Sequence, residues 1–252
     1  MHILKRRAEA SPLHRRRPWR LLATLLTATA LSASLASCTA AHGSSALGAL
    51  PEEATAPAAD VVVIGDSLST GFMTSVDDAW PTLIQGKLAG ATSSPASKGA
   101  PRSLYNAARN GAGYVTVGDQ DETFGDEVRA AVTKQTKDVL FFGSDNDLGQ
   151  DPQAITSAAE AALAQAHAQA PQATLIVVGP PSYTETPDAA LTAIRDALQT
   201  ASKAEGARFI DPITENWIAP DAANLLAADD EHPSVQGHQF LAGKMESILG
   251  IG

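Results

Sequence analysis

The chain has 252 residues, enough for one large domain or two small ones, and its 44% apolar residues can form a sizeable core that is mainly aliphatic, since only 5% are aromatic. The formal charge of −10 is uneven: residues 1–38 hold seven of the 18 Lys/Arg and one of the 28 Asp/Glu, so the remainder carries −16. Such a surface repels phosphate backbones, and the chain has no basic stripe or aromatic platform, so nucleic acid is excluded as a partner.

The first element is an address. "HRRRPWRLLATLLTATALSASLASC" has a basic start, an apolar centre from Leu21 to about Leu35 and small residues before Cys38, the order of a secretory signal. The apolar run of about 15 residues is shorter than the roughly 20 that span a bilayer as a helix. The ending "LASC" resembles the bacterial lipoprotein signal, in which the cysteine takes a diacylglyceryl thioether and becomes the new N-terminus. Cys38 is the only cysteine, so no intrachain disulfide is available in an oxidising compartment, and acylation would remove an exposed thiol. Residues 1–37 are therefore expected to be a lipoprotein signal peptide. Residues 38–59 are expected to be a flexible, lipid-anchored tether, being small, punctuated by Pro and without periodicity. The expected location is extracytoplasmic and anchored to the cell membrane, with which a secreted fraction is compatible.

From Asp60 onward, short apolar runs alternate with helical patterns. "DVVVIG" (60–65) predicts a strand, "AWPTLIQGKLA" (79–89) a short helix and "RSLYNAA" (102–108) a weaker strand. "FGDEVRAAVTKQT" (124–136) predicts an amphipathic helix and "DVLFFG" (138–143) a strand. "DPQAITSAAEAALAQAHAQA" (151–170) predicts a helix opened by Asp and Pro. A strand "ATLIVVGPP" (173–181), a helix (186–206) closed by Gly, a strand "ARFIDP" (207–212) and a last helix (233–250) complete the series. Strands separated by helices of this length make βαβ units. Residues 60–252 should thus form one three-layer α/β/α sandwich around a parallel sheet of about five strands. Residues 90–101, "GATSSPASKGAP", suggest an insertion of no evident role.

In such sheets the reactive groups gather at the carboxyl ends of the strands. Polar groups fall there after the first strand (Gly65-Asp66-Ser67), the second ("NAARNGAG", 106–113) and the third ("GSDNDLG", 143–149), and before the last helix ("DDEHPS", 229–234). Ser67 is either the N-cap of a following helix or a nucleophile, and a nucleophile needs a base within hydrogen-bond reach and a carboxylate to orient that base. Of the histidines beyond the tether, His167 lies on a helix where solvation is its default and His238 lies inside the last helix. His232 is in a loop, with Asp229 three residues before it, a spacing at which an Asp in a tight turn can accept the imidazole Nδ1–H. A metal site from Asp229, Asp230, Glu231 and His232 is disfavoured, because adjacent acids alternate in direction.

Together these four segments resemble the SGNH (GDSL-type) hydrolases, whose blocks carry Ser, Gly, Asn and His in that order. "GDSLSTG" matches the first block, "NAARNGA" is similar to the second, "GSDNDL" to the third and "DDEHPS" to the fourth. The resemblance implies Ser67 as nucleophile, His232 as base and Asp229 as its partner. It also implies an oxyanion hole from the N–H of Ser67, the N–H of Gly111 and the side-chain amide of Asn146. Gly113 competes with Gly111, and Asp230 with Asp229. In the third block either Ser144 replaces the usual glycine or the loop carries one extra residue. A flavodoxin-like sheet and no metal or organic cofactor are implied.

The function implied is a surface-anchored serine esterase acting on short-chain acyl esters, including O-acetyl groups of carbohydrate. The alternatives are an O-acyltransferase using the same site, and a non-catalytic glycan-binding lipoprotein on the same scaffold. Expected partners are a small-molecule or glycan ester and, through the anchor, the membrane; a monomer is expected. Loops 111–126 and 182–188 should rim the site, with Tyr183 and Trp217 as candidate lining residues, although Trp217 equally suits the core.

Overall fold

The computed structural model describes residues 56–90 and 102–251. The expected signal peptide, Cys38, most of the tether and segment 91–101 lie outside the described residues. Five strands form the sheet: β1 (Val61–Gly65), β2 (Leu104–Asn106), β3 (Asp138–Phe142), β4 (Thr174–Val178) and β5 (Arg208–Ile210). All neighbours are parallel, in the order β2-β1-β3-β4-β5.

The helices are α1 (Ser67–Thr70), α2 (Trp80–Gly90), α3 (Phe124–Ala131), α4 (Pro152–Gln169), α5 (Ala189–Ala204), α6 (Ala222–Leu225) and α7 (Val235–Leu249). Because side chains alternate across a strand, the sheet makes two cores. Val62, Ile64, Val139, Phe141, Leu175 and Val177 pack with α3, α4 and α5. Val61, Val63, Leu140, Phe142, Ile176 and Val178 pack with α2 and α7. Strands buried on both faces explain why each reads as a continuous apolar run. Trp217 is 3% exposed and belongs to the second core, so it packs behind the sheet and does not line a cleft.

The strand order fixes where a cleft can form. The crossover from β1 leads outward to β2 on one side, whereas the crossover from β3 leads to β4 on the other. Between the carboxyl ends of β1 and β3 the connections therefore diverge and leave a crevice, the topological switch point of a doubly wound sheet.

The elements are mostly shorter than expected, and two local details have a plain physical reason. The helix expected to run to residue 136 stops at Ala131. Val132 is extended, and the Thr133 N–H donates to Thr136 Oγ1 at 3.1 Å, so two β-branched residues close a turn instead of crowding a helix. Ser67 is not an N-cap: Asp66 is, its side chain accepting from the Leu68 N–H. The capping duty falls one residue earlier, and the Ser67 hydroxyl is released.

Candidate active site

Ser67 begins α1 directly beyond β1 and is only 8% exposed. Its Oγ lies 2.9 Å from His232 Nε2, across 165 residues of sequence. The other ring nitrogen, Nδ1, is 2.7 Å from Asp229 Oδ2. The two partners assign the tautomer: Nδ1–H donates to the carboxylate, and Nε2 is left to accept from the Ser67 hydroxyl.

The local sequence explains why His232 stands where it does. Asp229 Oδ1 accepts from the N–H groups of Glu231 and His232 at 3.2 and 3.1 Å, so one carboxylate folds the turn and orients the ring that the turn carries. The Ala227 N–H donates to His232 O at 2.7 Å, and Ser234 then caps α7 through the Gly237 N–H at 3.1 Å. Burial opposes ionisation of Asp229, but the hydrogen bonds from His232 and from the two backbone groups outweigh it and hold its carboxyl below the ordinary range. Asp230 sits in the left-handed region at φ 59 and is exposed. Asp229 rather than Asp230 therefore meets the ring.

The second and third segments converge on the same edge. Gly111 has φ 74, and neither its N–H nor that of Ser67 makes a hydrogen bond among the described residues. The Gly113 N–H donates to Thr116 O at 2.9 Å, which removes it from the competition. In the third segment Ser144 adopts φ 89, a glycine-like conformation. Ser144 thus stands in the glycine's place, and Gly143, at φ 122, serves a different purpose taken up below. Asn146 Nδ2 donates to Ala112 O at 2.9 Å and faces Asp66 Oδ2 at 3.4 Å.

Asp145, Asp147 and Phe72 are not singled out by the sequence, whereas Tyr183 is expected on the rim. Asp147 is wholly buried and accepts from Tyr114 N, Val115 N, Thr116 N and Ser144 Oγ at 2.8–3.1 Å, so it fastens the loop after β2 to the loop after β3. Tyr183 donates its hydroxyl to Asp145 Oδ2 at 2.6 Å. Burial pushes the Asp145 carboxyl up, against the opposing influence of that hydrogen bond and of His232. The Phe72 ring lies 4.7 Å from the His232 ring, centroid to centroid, and is 44% exposed. The run of acceptors in "SDND" was a usable signal for the two acids. Nothing in "STGFM" announces Phe72.

His238 and His167 stay apart from this chemistry. His238 is buried and its Nδ1 accepts from the Trp80 N–H at 3.4 Å, while His167 is exposed on α4.

A hydroxyl, an imidazole and a carboxylate in one hydrogen-bonded chain at a switch-point crevice define an α/β protein equipped for acyl transfer. Comparison of sequences makes the assignment specific. The chain belongs to the GDSL-like lipase/acylhydrolase family, whose sequence model matches residues 63–240, and is thus an enzyme of the ester-hydrolase class. It is 34% identical over 196 residues to a GDSL lipase of Mycobacterium tuberculosis, covering 76% of this chain and 81% of that one. Among solved structures the fold is shared with the psychrotrophic esterase EstA from Pseudoalteromonas sp. (17% identity, TM-score 0.54, 74% of this chain and 94% of that one). It is shared also with the acetyl xylan esterase AlAXEase (18% identity, TM-score 0.58, 75% and 98%).

Proposed function

We propose that this enzyme is an extracytoplasmic, lipid-anchored serine esterase that removes short acyl groups through Ser67, His232 and Asp229. The observation that carries the reading is the unbroken chain from Asp229 Oδ2 to His232 at 2.7 Å and from His232 to Ser67 Oγ at 2.9 Å. His232 takes the hydroxyl proton as Oγ attacks the ester carbonyl, and Asp229 stabilises the imidazolium that results. The tetrahedral oxyanion is received by the N–H groups of Ser67 and Gly111 and by the Asn146 amide. His232 returns the proton to the departing alcohol. Water, deprotonated by the same ring, then releases the acid from the acyl-enzyme.

The rim supports a short acyl group joined to a hydroxyl-bearing alcohol, such as an O-acetylated carbohydrate. Phe72, and after it the half-exposed Met73, offer a small apolar ledge on the His232 side. The Tyr183–Asp145 pair, in which the phenol proton is already donated to Asp145, offers oxygen acceptors for hydroxyl groups. The fold itself accommodates such chemistry in the acetyl xylan esterase. The N-terminal sequence through Cys38 supports the anchor.

The test is a series of p-nitrophenyl esters from acetate to palmitate, with Ser67→Ala in parallel. The expected result is hydrolysis that declines with acyl length and a loss of about 10³-fold or more in Ser67→Ala. Hydrolysis unchanged in that variant refutes the mechanism, and a preference for palmitate refutes the short-acyl reading.

A further inference from the structure

Asp66 lies outside the chain from Asp229 to Ser67, yet it is fully buried beside the serine. Its two oxygens serve both halves of the site. Oδ1 accepts from the Leu68 N–H at 2.9 Å and so fixes the single turn of α1 that starts with Ser67. Oδ2 accepts from the Ser144 N–H at 2.8 Å and stands 3.4 Å from Asn146 Nδ2. A side chain at residue 143 would forbid this meeting: a Cβ there would stand 2.0 Å from Asp66 Oδ2. That is the purpose of Gly143.

The Asn146 amide is consequently aimed by two acceptors. One hydrogen is directed to Ala112 O at 2.9 Å, and the other turns toward Asp66. At 3.4 Å the second contact exceeds the usual range of about 2.7–3.2 Å for N–H···O bonds, so it orients the amide without saturating it. Burial, reinforced by the nearby Asp145 charge, pushes the Asp66 carboxyl well above the ordinary range.

We propose that Asp66 is a positioning residue that clamps the Ser67 loop and the Asn146 loop to one carboxylate, and thereby sets the spacing of the oxyanion-binding donors before substrate arrives. The inference rests on the serine esterase reading and deepens it. Preorganised donors stabilise a transition state because they need no rearrangement when charge appears. Loss of the clamp should therefore lower kcat more than it raises KM.

The test is a double-mutant cycle on p-nitrophenyl acetate hydrolysis with Asp66→Asn and Asn146→Ala. Asn keeps the size of Asp and caps helices equally well, but its amide presents a donor to one of the N–H groups that Asp66 accepts. Asp66→Ser is the second variant: it retains a cap for α1 and is too short to reach the Ser144 N–H. In the parent enzyme Asn146→Ala is expected to cost ~10²–10³-fold in kcat. Asp66→Asn is expected to cost about 10–100-fold in kcat with KM within about threefold, and in its background Asn146→Ala should cost less than about tenfold. Costs that multiply independently in both Asp66 variants overturn the inference, as does an Asp66 effect confined to KM. If Ser67→Ala abolishes activity while both Asp66 variants match the parent, only this inference fails. If Ser67→Ala stays active, the esterase mechanism itself fails.

Discussion

Glu127 shows how far a single side chain can depart from its habitual state in this fold. It projects from α3 beneath β1, is 1% exposed, and its Oε2 accepts from the Gly65 N–H at 2.8 Å, one residue before Asp66. Burial pushes its carboxyl up to about 9; the Gly65 hydrogen bond and the Arg109 charge oppose the rise, and the Asp66 charge adds to it. At neutral pH it is a carboxylic acid. The sign of its linkage follows: the native state keeps a proton that the unfolded chain sheds above about 4.5, so this group's stabilising contribution is complete below that pH and is lost as pH climbs toward 9. Glu127→Gln retains the acceptor for Gly65 and removes the titration. Denaturant unfolding between pH 5 and pH 8 should show the parent losing a few kcal/mol more than the variant. Parallel pH profiles for the two proteins would contradict a buried neutral acid. Hydropathy could not have flagged this residue, because "GDEVRAA" reads as a solvated acidic first turn. Only the approach of α3 to the end of β1 buries it.

At the level of elements, α7 decides how His232 meets Ser67. Its first turn lies hard against α6: a Cβ on Gly237 would stand 2.0 Å from the Leu225 carbonyl oxygen, whereas one on Gly243, in the same helix, would meet open space. Gly237→Ala must displace the start of α7, and with it the loop that carries His232 two residues before the Ser234 cap. We expect about a 10–100-fold loss of kcat/KM on p-nitrophenyl acetate together with a lower Tm. Gly243→Ala should leave activity intact and stabilise by up to about 1 kcal/mol, since Ala is the better helix former. Equal behaviour of the two variants would show that α7 does not set the register of the imidazole. The helix itself was legible from its pattern, but its start was expected at Pro233, two residues before Val235, where the Ser234 cap sets it. The four-residue α6 was not legible: "AANL" is too short for periodicity, and its existence depends on the partner it packs against.

Across the whole molecule, the parallel sheet brings together groups that lie far apart in sequence, and the acidic domain is proposed to be held at a membrane by its N-terminal lipid. Cys38→Ser should release the protein from the membrane fraction of its host into the soluble fraction while hydrolysis by the purified protein stays unchanged; a variant that remains with the membrane removes the case for acylation. The alternation of aliphatic runs with amphipathic segments was enough to determine five strands, covering helices and the sheet edge that carries Ser67, Gly111, Asn146 and the Asp229–His232 turn, because burial on both faces and strand–turn chemistry are local properties of sequence. The "DDEH" turn even held its own geometry, as one carboxylate caps the two N–H groups that follow it. Which way the buried acids point, whether Trp217 lines a cleft or fills a core, how Phe72 comes to rest on the imidazole, and how Asp66 joins two loops were decided only by the packing of elements distant in the chain. Those outcomes depend on which surfaces meet, and a one-dimensional pattern does not contain that information.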